Sequence, residues 1–392
     1  MKIRVYKKSD LEDVISLIER SNFTNRTAET WNKNNMKAIL AFDNDKLIGA
    51  YPLQPRKLSI GDEFINVLFA TSVYINRKFR RKGIGTLMND KIKEAFDKEY
   101  EGIFVYKNRE GDAYKWYQSL GYNAYIKILS LNKTIDKIKT HNNFLYYDST
   151  KDLNKVKKDI LDCYELHNNS YAGGAYHHNN YWSKYIAHSY HKEHYKYSFI
   201  INPSKDNKKI NSYAFLGETA IRDGIKRFDI LEQCVSNNSE AKEVLFDSIL
   251  EVANKKRLKE IRIQVSKEDN ILNWIQKSNF TIRWEFDLLG YLFNPIDYLL
   301  KKIERSKKLR DCHKFILITD NGAQNSIGKG SQHLALSISD DELSKLVLNR
   351  LDMRSSMMNG RIKVIKENKE ILNRIISLFP KTDWQFQHME YV

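Results

Sequence analysis

The chain has 392 residues, 42% hydrophobic and 29% charged, with 65 basic against 49 acidic side chains and a formal net charge of +16. That length predicts two to three domains, long enough to bury several cores. The composition excludes a disordered chain, no apolar run reaches the roughly 18 residues of a membrane span, and three scattered cysteines argue against a disulfide framework or a structural zinc site. The start, Met1-Lys2-Ile3-Arg4-Val5, has no apolar signal core, so a cytoplasmic protein is expected. The positive field attracts anions such as nucleic acid, anionic membrane or a polyphosphate. The lysines are spread along the chain without an aromatic-interleaved stripe, so they read as a solvated surface. Neither membrane nor nucleic acid is an expected partner.

In chain order, residues 2–6 predict a short strand. Ser9 predicts a helix start, with Glu12 as its capping-box partner and Leu11, Val14, Ile15 and Ile18 at helical spacing. Residues 38–43 and 46–52 predict a hairpin turning at Asn44-Asp45, and 54–60 with 64–76 a further strand pair turning at Gly61-Asp62. A basic glycine loop then feeds an amphipathic helix. A strand over 102–107 and a helix over 112–119 follow, the helix closed by Gly121.

Residues 46–73 and 209–235 share one strand–turn–strand order, and 87–96 finds a counterpart helix in 242–253. Trp116-Tyr117-Gln118 aligns with Trp274-Ile275-Gln276. Two diverged copies of one α/β unit account for this order. Residues 295–392 differ: helix, strand, polar loop, strand and two helices predict a third, smaller α/β domain.

Chemistry concentrates in the first copy. Val73, Tyr74 and Ile75 form a strand that leads into Arg80-Arg81-Lys82-Gly83-Ile84-Gly85-Thr86. Glycines without Cβ let the backbone turn tightly. Successive N–H groups at the helix start then converge on phosphate oxygens, with the basic residues and the Thr86 hydroxyl beside them. The third glycine of a dinucleotide fingerprint and the Gly-Lys-Ser/Thr of a kinase-type loop are both missing.

This Arg-x-x-Gly-x-Gly stretch resembles motif A of the GNAT superfamily of acyl-CoA-dependent N-acetyltransferases. Ala113-Tyr114-Lys115-Trp116-Tyr117-Gln118-Ser119-Leu120-Gly121-Tyr122 is similar to that family's later aromatic helix. The resemblance implies acetyl-CoA as cosubstrate and no metal. It implies that Val73, Tyr74 and Ile75 bind pantetheine through their backbone and that Arg81 to Thr86 take the pyrophosphate, with Arg80 alongside. Asp112 and Ala113 would lie along the cofactor arm, and Tyr117 would be the general acid. In the second copy Val235-Ser236-Asn237-Asn238-Ser239-Glu240 replaces the loop, without glycine or basic cluster, and Ile275 replaces Tyr117. That copy is expected to be degenerate, framing the substrate cleft or a subunit interface.

A tandem GNAT pair with a third domain resembles the enhanced-intracellular-survival (Eis) family. The implied fold is α/β (α+β): tandem GNAT-like mixed sheets flanked by helices over 1–145 and 146–294, then a sterol-carrier-protein-like α/β domain over 295–392. Asn359-Gly360-Arg361 and residues 371–379 fit that last domain's closing turn and helix. The resemblance implies acetylation of an aminoglycoside, polyamine or lysine-type amine, on a small molecule or a peptide, and assembly as a homo-oligomer, in that family a hexamer. The family's base is its C-terminal carboxylate, which would be Val392. The family often ends in an aromatic, whereas this chain ends Glu390-Tyr391-Val392. Two other readings stay open: an aminoacyl-tRNA-dependent transferase on the same fold, and a non-catalytic CoA sensor. His177, His178, His188, His191 and His194 read as a polar segment, residues 322–330 as a hairpin turn, and Cys163 as a core residue.

Overall fold

A computed structural model of the chain describes residues 1–19, 31–32, 35–61, 63–135, 144–147, 153–168, 171, 173–174, 195–203, 209–219, 226–235, 239–269 and 271–384. Strand β1 (Lys2–Val5) and helix α1 (Leu11–Glu19) open it. Asp10 closes the turn between them, taking the Lys7 N–H and both terminal nitrogens of Arg4 at 2.7 Å. The predicted Ser9–Glu12 box gives way to this ion-paired carboxylate, a stronger acceptor than a hydroxyl.

Strands β2 (Lys37–Asp43) and β3 (Lys46–Ile60) form the hairpin at Asn44-Asp45. β3 is one 15-residue strand where alternation predicts two. It pairs with β2 up to Leu53 and from there with β4 (Glu63–Ala70). Pro52 and Pro55 flank that handover, where a missing N–H disturbs the ladders least. The predicted strand over 64–76 breaks instead of continuing. Ser72 adopts φ 50°, and the chain returns as β5 (Tyr74–Ile75), paired with β3 at Gly49 and Ala50.

Helix α2 (Ile84–Phe96), β6 (Gly102–Asn108), α3 (Asp112–Ser119) and β7 (Asn123–Thr134) complete the first copy. The second contains β8 (Leu145–Tyr147), α4 (Leu153–Asn168), β9 (Tyr195–Pro203), β10 (Ile210–Thr219) and β11 (Arg227–Val235). It ends with α5 (Ser239–Lys255), β12 (Glu260–Ser266), α6 (Leu272–Lys277) and β13 (Thr281–Leu292).

These strands form one mixed sheet, ordered β1-β2-β3-β4-β6-β13-β7-β12-β11-β10-β9-β8, with β5 beside β3. At its centre the copies trade their last strands. β13 pairs with β6, and β7 pairs with β12. The registers are equivalent under the repeat: Asp287 faces Lys107, and Leu129 faces Val265. Two separate sheets are therefore replaced by a single fused one.

The third part packs on the fused sheet through a shared apolar core. It contains α7 (Pro295–Arg305), β14 (His313–Ile318), β15 (Gln324–Ile327), β16 (Gln332–Ile338), α8 (Asp340–Val347), α9 (Met353–Met358), β17 (Ile362–Lys366) and α10 (Lys369–Ile376). Its sheet runs β15-β14-β16-β17. Residues 322–330, expected as one hairpin turn, instead contain β15, and the turn from β14 spans 319–323, closed by the Thr319 N–H on the Ala323 carbonyl; α9 and β17 lie where no element is predicted. Phe104, Ile126 and Leu288 of the fused sheet share one core with Leu299, Phe315, Leu343 and Trp384. Helices α2 and α3 cover the other face, over Leu68, Ile103, Val105 and Leu289.

The exchange depends on a glycine. A Cβ on Gly290 would lie 2.5 Å from Phe104 Cε1 and 2.7 Å from Tyr125 Cε2. Gly290→Ala should cost roughly 1–3 kcal/mol by overpacking. Its urea unfolding midpoint should fall well below wild type; an unchanged midpoint would contradict the seating of β13.

Candidate active site at the β4–β6 wedge

The first copy's site begins where two parallel strands part. β4 and β6 pair only over Val67–Phe69 and Gly102–Phe104, yet β6 continues to Asn108. Beyond Phe104 its β4-facing edge carries no strand pairing among the described residues, while its other edge pairs with β13 as far as Asn108. The result is a wedge with unpaired backbone along one side, able to take an extended amide-bearing chain.

The glycine loop follows β5, the strand to which the chain turns after β4 ends. Arg81 (φ 58°) and Gly83 (φ 75°) both adopt left-handed backbone, and Gly83 precedes α2 without a side-chain cap. A Cβ at Gly83 would meet nothing within 4 Å, so the glycine is needed for its φ and for the open approach to the helix N-terminus. Gly85 has a different reason: its Cβ would lie 2.8 Å from Trp116 Cζ2. It sets the packing of α2 on α3, a requirement the motif does not announce.

Arg81, Lys82 and Thr86 are exposed, Ile84 is buried, and Val73, Tyr74 and Ile75 are half-buried. Arg80 is tied into the loop: its Nε donates to the Ile75 carbonyl at 2.8 Å, and its guanidinium lies 5.5 Å from the Tyr74 ring centre. Lys82 lies 5.3 Å from the Phe79 ring centre. Asp112 and Ala113 are exposed in the first turn of α3.

Tyr117 points from α3 into a tyrosine cluster. It is 1% exposed, and its ring lies 5.0 Å from Tyr122 and 4.7 Å from Trp116. Tyr122 Oη donates to Asn89 Oδ1 at 2.8 Å and sits 3.4 Å from Tyr51 Oη. Tyr117 Oη has no geometrically formed hydrogen bond among the described residues. Burial, reinforced by Tyr51, pushes its phenol well above the usual tyrosine range. It therefore stays protonated at neutral pH with a hydrogen to offer. Lys107, at the end of β6, places its ammonium 5.7 Å from the Tyr117 ring centre, and burial lowers its pKa.

Motif reading missed Lys107 and Tyr51, because neither falls within the loop or helix pattern, and gave Tyr122, the last residue of that pattern, no role. Val392 and the five histidines from His177 to His194 lie outside the described residues. Among the described residues, no group of three or more His, Cys, Asp or Glu is placed to hold a metal ion, and no helix is long and apolar enough to cross a membrane. Cys163 is buried, which pushes its thiol up to about 12 and leaves it a poor nucleophile.

The second copy differs at the matching place. His167 from α4 lies against the end of β11, its Nδ1 3.0 Å from the Val235 carbonyl oxygen. Burial pulls His167 down to about 4, so it is neutral when folded. Unfolded, its ordinary value is about 6.5. Its share of stability is full above that pH and drains as the pH falls toward 4. Buried Asp269, raised to about 6, acts in the opposite sense, losing stability as the pH rises through 6. Against wild type, His167→Gln should show a smaller fall in unfolding midpoint between about pH 6.5 and 4.5. Parallel pH curves would contradict the buried neutral imidazole.

Residues 34–124 match the family model described as acetyltransferase (GNAT) domain. No curated protein matches the chain in sequence. A probable N-acyltransferase of unknown function from Enterococcus faecalis V583 has a similar structure, with TM-score 0.69 and 11% identity over 98% of this chain and 97% of that one. A GCN5-related N-acetyltransferase from Anabaena variabilis ATCC 29413 gives TM-score 0.69 and 13% identity over 98% and 99%. Eis1 from Mycobacterium abscessus gives TM-score 0.62 and 12% identity over 99% of each chain. At these identities the likeness concerns the fold. Residues 34–124 thus match a GNAT acetyltransferase domain, within a chain whose whole fold is similar to that of Eis1.

Proposed function

We propose that this protein is an acetyl-CoA-dependent N-acetyltransferase acting on a primary amine of a small-molecule or peptide acceptor. Residues 1–145 would form the catalytic unit, 146–294 the degenerate copy and 295–392 the third domain. The observation that carries this reading is the wedge beyond Phe69 and Phe104, together with the left-handed Gly83 turn and the Tyr117 ring 5.7 Å from the Lys107 ammonium of β6. The fit to acetyl-CoA rests on the open left-handed turn, the uncapped helix start and the unpaired edge of β6.

In the reaction the thioester comes from acetyl-CoA, and the chain supplies position and protons. N–H groups of Ile84, Gly85 and Thr86 receive the pyrophosphate, with Arg81 and Lys82 adding charge. The unpaired edge of β6 and the backbone of Val73, Tyr74 and Ile75 hold the pantetheine amides. Tyr117 donates its hydrogen to the departing sulfur, and the Lys107 ammonium stabilises negative charge there. The amine attacks directly in a ternary complex and gives its proton to a base.

The C-terminal carboxylate is our candidate for that base. Trp384 is 0% exposed and belongs to the large core that also holds Phe69 and Phe104, on the face opposite α3. Its Nε1 donates to the Leu348 carbonyl at 3.0 Å and its N–H to Glu268 Oε2 at 3.2 Å. Val392 follows Trp384 by eight residues, a reach of up to roughly 26–29 Å. The free carboxylate, intrinsically of pKa about 3.5, needs desolvation to serve as a base.

Thiol release from acetyl-CoA, assayed with untagged protein and a panel of aminoglycosides, polyamines and lysine peptides, tests this reading. Amine-dependent release is expected. Tyr117→Phe should lower kcat by about a hundredfold or more with little change in KM for acetyl-CoA. A one-residue C-terminal extension should lower kcat as well. Binding of acetyl-CoA without release for any amine would favour a sensor, and no binding would remove the cofactor assignment.

A further inference from the structure

Resting on the proposed acetyl transfer, we infer that the strand donated by the second copy supplies a positioning residue to the first copy's site: Asp287 on β13. Its side chain is 0% exposed. Oδ2 accepts from Tyr114 Oη at 2.6 Å and from Arg109 Nε at 2.7 Å. Oδ1 has no partner among the described residues. Tyr114 lies one helical turn before Tyr117 on α3, and Arg109 lies in the turn that leads into that helix. One carboxylate thus clamps the entry and the first turn of the helix that carries the acid candidate.

The clamp is strong for a physical reason. Burial and the bond to Asp287 push the Tyr114 phenol up to about 12, so it remains a donor. Arg109 balances the buried carboxylate and makes a charge-assisted bond to it. Removing the carboxylate leaves the buried Tyr114 phenol without its acceptor, at a cost beyond the bond itself, while Arg109, 46% exposed, can turn to water.

The repeat separates this role from a general need of the fold. β7 and β13 are both 12 residues long, and the alignment that places Trp116 on Trp274 places Asp287 on Leu129. By the same alignment Tyr114 falls on Leu272, Tyr117 on Ile275 and Lys107 on Val265. Leu129, Val265 and Ile275 share one apolar core, with Leu272 packed against it. The second copy holds its equivalent strand and helix together without a carboxylate. The carboxylate, its tyrosine and the acid candidate occur together in one copy and are absent together from the other.

The test compares Asp287→Asn, Tyr114→Phe and their double variant with Asp229→Asn. Asp229 is also 0% exposed and binds two arginines, Arg227 and Arg262, but it lies on β11 in the second copy. Asp287→Asn should lower kcat by about 10–100-fold per folded molecule, the effect of a slightly misplaced catalytic helix. KM for acetyl-CoA should stay within about threefold, since the Gly83 loop is untouched. The double variant should be no worse than Asp287→Asn alone. Asp229→Asn should lose stability but keep kcat. Amide hydrogen exchange over 112–119 should quicken in Asp287→Asn and not in Asp229→Asn. Tyr114→Phe deletes one hydroxyl and serves if Asp287→Asn does not fold. An unchanged kcat in Asp287→Asn, an equal loss in Asp229→Asn, or additive losses in the double variant would overturn the inference. If the wild type turns over no amine, the function reading fails, and the exchange rates of 112–119 alone decide: a selective increase supports the clamp and equal rates overturn it.

Discussion

The parting of β4 and β6 is the constraint on which the rest depends. Parallel strands normally continue side by side until one ends, and an unpaired interior edge is costly. Here β4 stops at Ala70, Ser72 turns left-handed, and the chain crosses to β3 as β5. That detour removes β6's neighbour and leaves its polar edge waiting for a partner. The same detour delivers the chain to the glycine loop, so the wedge and the left-handed turn at Gly83 arise from one backbone event.

The open edge is tolerable because the other edge of β6 is secured by a strand from elsewhere in the chain. β13 brings Gly290 against Phe104 and Tyr125 and carries Asp287 to the base of α3. The two copies thereby become one object. The second has no glycine loop, and His167 lies at its β11 end, but its last strand is part of the first copy's sheet. The second copy is bound to the first by pairing, and Asp287 stands where the repeat has Leu129.

What the sequence discloses is local. The Gly83 turn, the helix after it and the aromatic helix ending at Gly121 are set by residues adjacent in the chain, and periodicity and glycine placement predict them. The unbroken course of β3 is hidden by Pro52 and Pro55, which read as stops unless the change of partner is known. The exchange of β7 and β13 leaves no local trace, since strands pair through their backbones and the two strands have the same length and equivalent registers. Asp287 reads as one polar position in a strand, because its partners Arg109 and Tyr114 lie in the other copy. Gly85 is found by the motif but for a different reason, its contact with Trp116. The C-terminal residue and the histidine-rich segment fall outside the described residues.

The central claim is that the first copy alone holds the cofactor: parallel strands part in both copies, β11 and β12 beyond Ile230 and Ile263, but only the first copy has the glycine turn beside the parting. The most direct measurement is the stoichiometry of acetyl-CoA binding by titration calorimetry on the full chain, with Gly83→Ala alongside. The account predicts one site per chain, weakened by that substitution. Two equivalent sites per chain, or a single site indifferent to Gly83, would contradict it.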